Sequence, residues 1–273
     1  MNKRDIDRLS QNATNIYVQM ETDLLMSVGD QIAKRKGQLS EDQIENWRAD
    51  LLRDLGELDA RQQRIIAKYA DESAEVVRQT LMGAGVEATG EFESFLSELA
   101  DDGRLNQAPP IRESGGLTRI AETIADNATD QLNQVNTTLL NQSEQVYRDI
   151  VNRTANNVVQ GLSTAQEALD RVASEFAQNG VPALIDKSGR KWSTEAYVNM
   201  INRTHVNNVA NDMQDERFRE YGVDLVEISQ HAGAREKCYP YQGKIFSIDG
   251  TSERFPPLSD TSKGEVDGLF GKH

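Results

Sequence analysis

One cysteine, Cys238, stands in a sequence of 273 residues, so an intramolecular disulfide is excluded. Aromatic side chains make up only 6%, which favours thin cores between helices over one wide globular core. No run of about 20 apolar residues occurs, and no membrane span is expected. The first thirty residues lack the cationic start and continuous apolar stretch of a signal peptide, so the chain is expected to be cytosolic when made.

A dense basic face is missing as well. The formal net charge is −14, from 44 acidic and 30 basic side chains. The imbalance is spread out: residues 1–106 carry 13 basic and 21 acidic groups, and the remainder 17 and 23. Binding DNA through its phosphates needs clustered Lys and Arg, so direct DNA binding is not expected. The run Lys34-Arg35-Lys36 reads instead as the basic end of a helix before Gly37. The phosphate-binding loop, the dinucleotide-binding glycine pattern and His-Glu-x-x-His are all absent, and Asp and Glu are scattered over helix faces with no pair singled out.

What the sequence has in quantity is helical periodicity. Ile6, Leu9, Ala13, Ile16, Tyr17, Met20, Leu24 and Val28 recur at three and four, predicting a helix with a candidate interruption at Gly29 and an end at Gly37. Ser40 and Gln43 predict a capping box for a second helix that carries Ile44, Trp47, Leu51, Leu55 and Leu58. Further helix is expected over about 60–82 and 90–100, broken at Gly83-Ala84-Gly85. Pro109-Pro110 and Gly115-Gly116 deny helix at the two ends of a short extended piece, and the main linker is expected there.

Leu117, Ile120, Ile124, Ala128, Leu132, Val135, Leu139, Val146 and Ile150 mark a long helix reaching Val159. Between Asn127 and Gln160 it is rich in Asn, Gln, Thr and Ser, which are middling helix formers, so support from neighbouring copies or another protein is expected. Ser163 and Gln166 predict another capping box before Leu169, Val172 and Phe176, and Asn179-Gly180 with Pro182 closes that helix. Ser193 or Thr194 opens the next, with Tyr197, Val198, Ile201, His205, Val209 and Met213, ending near Tyr221-Gly222. Residues 223–229 and 243–248 read as strands, Asp249-Gly250 as a turn and 255–258 as extended.

The predicted fold class is therefore mainly α: long helices forming an extended helical body, followed by a small β-containing C-terminal domain. Its expected organisation is a helical region over 1–106, a linker over 107–116, a second helical region over 117–221 and a C-terminal domain over 222–273.

The segment His231-Ala-Gly-Ala-Arg235-Glu-Lys-Cys238-Tyr-Pro-Tyr-Gln242-Gly243-Lys244 concentrates the residues capable of chemistry. His231 and Cys238 could bind a metal, but a structural zinc site takes four donors and only His273 follows. Cys238 could be a thiolate nucleophile with His231 or His205 as base. The third reading is structural: Cys238 as a small buried group, His231 hydrogen-bonded in a turn, Arg235 tying loops together and His205 in a helix core. The structural reading fits every residue of the segment.

Arg203-Thr204, Glu220-Tyr-Gly-Val-Asp-Leu-Val-Glu-Ile-Ser229, His231-Ala-Gly-Ala-Arg235, Cys238, Tyr241-Gln-Gly-Lys-Ile-Phe246, Phe255-Pro-Pro-Leu258 and Gly268-Leu-Phe-Gly271 resemble, in order and spacing, the C-terminal signature of the type-two minor capsid proteins of tailed phages, relatives of the MuF-like head morphogenesis proteins. The resemblance covers residues 195–273. It implies a non-enzymatic virion component in the capsid interior near the portal vertex, present in several copies per portal ring. Its implied partners are the portal protein, the major capsid protein or both, with a role in head morphogenesis or genome packaging and delivery after assembly in the host cytoplasm. Glu236 stands where the family usually has proline. The family pattern also continues after Gly268–Gly271 with a Cys-x-His pair, whereas this chain stops at His273. The expectation is a truncated domain, with zinc at His231 and Cys238 if the native chain runs further. The rival functions are a small hydrolase or transferase using His231, Arg235 and Cys238, and an internal head protein that binds DNA.

Overall fold

The computed structural model describes residues 3–179, 182–185, 191–230, 232–234, 236 and 238–260. Six helices dominate these residues: α1 (Lys3–Ala33), α2 (Ile44–Arg53), α3 (Leu55–Asp101), α4 (Gly115–Val159), α5 (Ala165–Asn179) and α6 (Thr194–Glu220). Two small antiparallel sheets accompany them, β1 (Pro182–Ile185) with β2 (Lys191–Ser193), and β3 (Leu225–Glu227) with β4 (Ile245–Ser247). The mainly α class with a small β-containing C-terminal part is as expected.

The chain packs as two compact units interleaved along the sequence. One comprises residues 10–79 and 125–204; the other comprises 1–9, 80–124 and 205–273.

In the first unit, Tyr17, Met20, Leu24, Trp47, Leu51, Leu58, Leu132, Val135, Leu139 and Tyr147 are all buried. The apolar stripe of α4 is thus covered inside the unit. Removing Leu132, Val135 and Leu139 from water stabilises this unit on folding. Polar groups cross this core in pairs. Gln62 of α3 donates to Ser27 Oγ of α1 (3.2 Å) and accepts from Ser143 Oγ of α4 (2.9 Å). The Tyr147 hydroxyl donates to the Leu51 carbonyl (2.8 Å) near the end of α2, which also accepts from Asp54 N at 3.1 Å. Burial pushes the Tyr17 phenol up to about 12.

Lys34-Arg35-Lys36 lies just past α1. Arg35 takes Asp54, the residue between α2 and α3, in a two-pronged pair (Nε to Oδ2 2.6 Å, Nη2 to Oδ1 3.0 Å), and Lys34 pairs with Glu57 at 3.2 Å. Arg35 and Lys34 thus hold a helix corner.

Several element boundaries differ from expectation. Gly29 lies within α1, and Gly83-Ala84-Gly85 lies within the 47-residue α3. Gly85 is there for closeness: a Cβ at this position would come within 2.0 Å of Met213 Sδ. The Ser40 capping box does not form, because 41–43 make a turn and α2 starts only at Ile44 without a side-chain cap. The second capping box sits one residue later than Ser163 and Gln166: Thr164 N donates to Glu167 Oε2 (3.1 Å), and Glu167 N returns to Thr164 Oγ1 (3.4 Å). Gly115 and Gly116 begin α4 instead of denying it, with Ser114 Oγ accepting from Leu117 N at 3.1 Å. The β1–β2 pair was not anticipated; its strands fall at or below the shortest run that reads as a strand. No helix among the described residues is long and apolar enough to cross a membrane.

Candidate functional site

In the second unit, α6 presents Val206, Ala210, Met213 and then Arg217 at spacings of four, three and four. The first three are buried apolar residues, so the fourth carries a full charge into the same buried stripe. The Arg217 side chain is 1% exposed. An isolated ion there would be very costly, and the sequence supplies acids to meet it.

All five guanidinium N–H groups are satisfied. Nε donates to Glu93 Oε2 of α3 (2.8 Å), and Nη2 to Glu93 Oε1 and to the Tyr221 hydroxyl (3.3 Å). Nη1 donates to Glu220 Oε2 (2.6 Å) and to the Pro109 carbonyl (2.7 Å). The Tyr221 hydroxyl donates in turn to Glu93 Oε1 (3.0 Å), and Ser114 Oγ donates to Glu220 Oε1. The guanidinium also lies 4.7 Å from the Tyr221 ring centroid. Hydrogen bonds from Arg217 hold the Glu93 carboxyl below the ordinary range. For Arg217 itself burial opposes the charge, yet the bonds to Glu93 and Glu220 outweigh it and raise the pKa.

This hub fixes the stretch between α3 and α4. Pro109 offers its carbonyl to Arg217, Asn106 N donates to the Tyr221 carbonyl (3.0 Å), and Leu105 and Ala108 pack on a core of Leu96, Ala100 and Tyr221. The proline-rich residues are thus held by tertiary bonds where they have no helix of their own.

The C-terminal signature continues from the hub. Gly222 takes φ +73°, and the bonds Gly222 N to Arg219 O (2.9 Å) and Val223 N to Phe218 O (2.8 Å) close α6. A Cβ on Gly222 would also come within 2.6 Å of Asn106 Nδ2, so this position needs glycine twice over. Asp224 accepts from Ser247 Oγ (2.7 Å) and Asp249 N (2.8 Å), which keep its carboxyl below the ordinary range. β3 and β4 pair Val226 with Phe246, the Phe246 ring lies 6.1 Å from Tyr241, and Ser247 N donates to the Pro256 carbonyl (2.9 Å). Among the described residues, the signature blocks 220–229 and 241–246 therefore pair with each other.

Of the expected site residues, His231, Arg235 and His273 lie outside the described residues. Cys238 is half-buried at the start of a single helical turn, Tyr239–Tyr241, and its carbonyl accepts from Tyr241 N at 3.1 Å. Glu236, the departure from the family proline, is exposed. Among the described residues no three His, Cys, Asp or Glu side chains come together as metal donors. His205 is buried in α6 with its Nε2 lacking a hydrogen-bond partner, and burial pushes its pKa down. Arg217 and Glu93 escaped the sequence reading; the available signal was an arginine in register with the buried stripe of α6.

Comparison with known proteins follows the same direction. The model of the family described as "Phage minor capsid protein 2" matches residues 1–273, extending over the helical part that sequence reading matched only in general character. A protein of Lactococcus phage LL-H described as "Structural protein" is 29% identical over 254 residues, covering 88% of this chain and 67% of that relative. No solved structure matches.

Proposed function

The chain belongs to the phage minor capsid protein 2 family, and from that premise we propose that it is a non-catalytic head protein bound at the portal, acting in head morphogenesis or in genome packaging and delivery. The observation that carries this reading is that the described signature residues are engaged in holding the fold. Glu220 and Tyr221 bind the buried Arg217, Gly222 ends the helix beside Asn106, and Asp224 ties down Ser247 and Asp249. Residues used this way build a docking-competent shape, while catalysis would leave polar groups converging on a substrate.

The portal reading also agrees with the charge. A chain at −14 is repelled by packaged DNA, so a stable place in the head requires a protein partner. The experiment is deletion of the chain from an infecting phage, complemented with wild type, His231→Ala or Cys238→Ser. Loss of DNA-filled heads on deletion, with both variants restoring them, is the expected result. Normal heads without the chain, or heads that form with either variant yet are not infectious, would favour an enzymatic role.

A further inference from the structure

Phenylalanine is scarce in this sequence, with seven in 273 residues, and two of them stand on the surface of one helix. Phe95 of α3 is 60% exposed and Phe92 is 39% exposed. Leu99, half-buried, follows Phe95 by four, so the three share a face of α3. Phe218 of α6, also half-buried, extends that face, with its ring centroid 5.9 Å from that of Phe92. Burying a phenylalanine is worth roughly 1.5–3 kcal/mol, and a contiguous exposed aromatic patch on a soluble surface marks an interaction site.

The charge beside the patch selects among partners. Glu98 and Asp102 are exposed and stand three residues beyond Phe95 and Leu99, and neither has an ion pair among the described residues. Asp101 accepts from Gln107. Of the nearby cations, Arg219 is engaged by Glu216 at 3.5 Å, and Arg104 lies past the end of the helix. The apolar strip therefore has an acidic rim. A second copy would bring the same rim and its own charge of −14, and nucleic acid or an anionic lipid surface would be repelled.

We propose that Phe92, Phe95, Leu99 and Phe218 form a docking face for a basic amphipathic segment of another protein. Its aliphatic or aromatic residues cover the phenylalanines, and its Lys or Arg side chains reach Glu98 and Asp102. The mode is a helix or strand laid on an apolar strip, with charge setting the specificity. It goes beyond the portal reading, since the chemistry holds whichever protein carries the segment.

The test uses the full chain and two labelled synthetic helices of about five turns. Both carry the same Leu and Phe face, with Lys on the outer face of one and Glu on that of the other. Fluorescence anisotropy is expected to show the Lys peptide binding at least tenfold tighter than the Glu peptide. Phe95→Ser should weaken it about tenfold without lowering the thermal midpoint, because the side chain is exposed, and Glu98→Gln with Asp102→Asn should flatten its salt dependence. Equal binding of the two peptides, no binding of either, or a chain that dimerises in a way Phe95→Ser abolishes would each overturn the proposal.

Discussion

Arg217 shows what a buried charge demands. With five donors used on two carboxylates, a hydroxyl and a carbonyl, its removal leaves Glu93 and Glu220 facing each other without a cation. Arg217→Met is expected to cost about 3–5 kcal/mol in urea unfolding, with Glu93→Gln and Glu220→Gln in the same chain restoring part of it. Without that partial recovery, burial of the methionine and not charge compensation would account for the loss. Glu93 and His205 both contribute to the dependence on pH. Glu93 titrates below its unfolded value, so its stabilisation is complete above the ordinary carboxylate range of about 4.3 and is lost as pH falls through the lower folded value. Buried His205 is likewise depressed; the unfolded chain takes up its proton near pH 6.5 while the folded chain resists, so stability falls as pH drops below about 6.5. Its slope there is at most about 1.4 kcal/mol per pH unit for one proton, and His205→Leu should remove it. A slope unchanged in that variant would assign the effect to other groups. At this scale the sequence was read for His231 and Cys238, where reactive residue types crowd together. The hub went unread because its members, Glu93, Pro109, Ser114 and Arg217, are distant in sequence and individually ordinary.

Helix periodicity was legible almost everywhere, since the stripes of α1, α4 and α6 follow the apolar spacing closely. The boundaries were less so, and the reason lies with glycine and capping residues, whose local preference yields to packing. Gly83 is exposed with open space around it, whereas Gly85 faces Met213. Gly83→Ala is therefore expected to stabilise the protein by up to about 1 kcal/mol through helix propensity, and Gly85→Ala to destabilise it. Calorimetry of the two variants checks the sign, and a neutral Gly83→Ala would argue for a break in α3. Thr164→Ala should cost about 1 kcal/mol, the usual worth of a side-chain cap, while Ser163→Ala should be nearly silent; the reverse order would restore the box to the position first read from the sequence. The same conflict explains Ser40: Glu41, next to it, accepts from Ala165 N (3.0 Å) at the start of α5, so the turn at 41–43 serves a tertiary bond and not a cap for α2.

At the scale of the whole molecule, low aromatic content and dense helical periodicity indicated a mainly α protein, and the C-terminal blocks indicated the family. The two interleaved compact units were beyond periodicity, because pairing of distant helices leaves no local mark. The acidic balance and the burial of the α4 stripe both shift attention from that helix to exposed surface for partner binding. The central claim is that this surface meets the portal. Purified chain mixed with the portal ring of the same phage, and weighed by light scattering during size exclusion, tests it directly. The account predicts a complex of defined stoichiometry with several copies of the chain per ring; elution of the chain apart from an unchanged ring would contradict it.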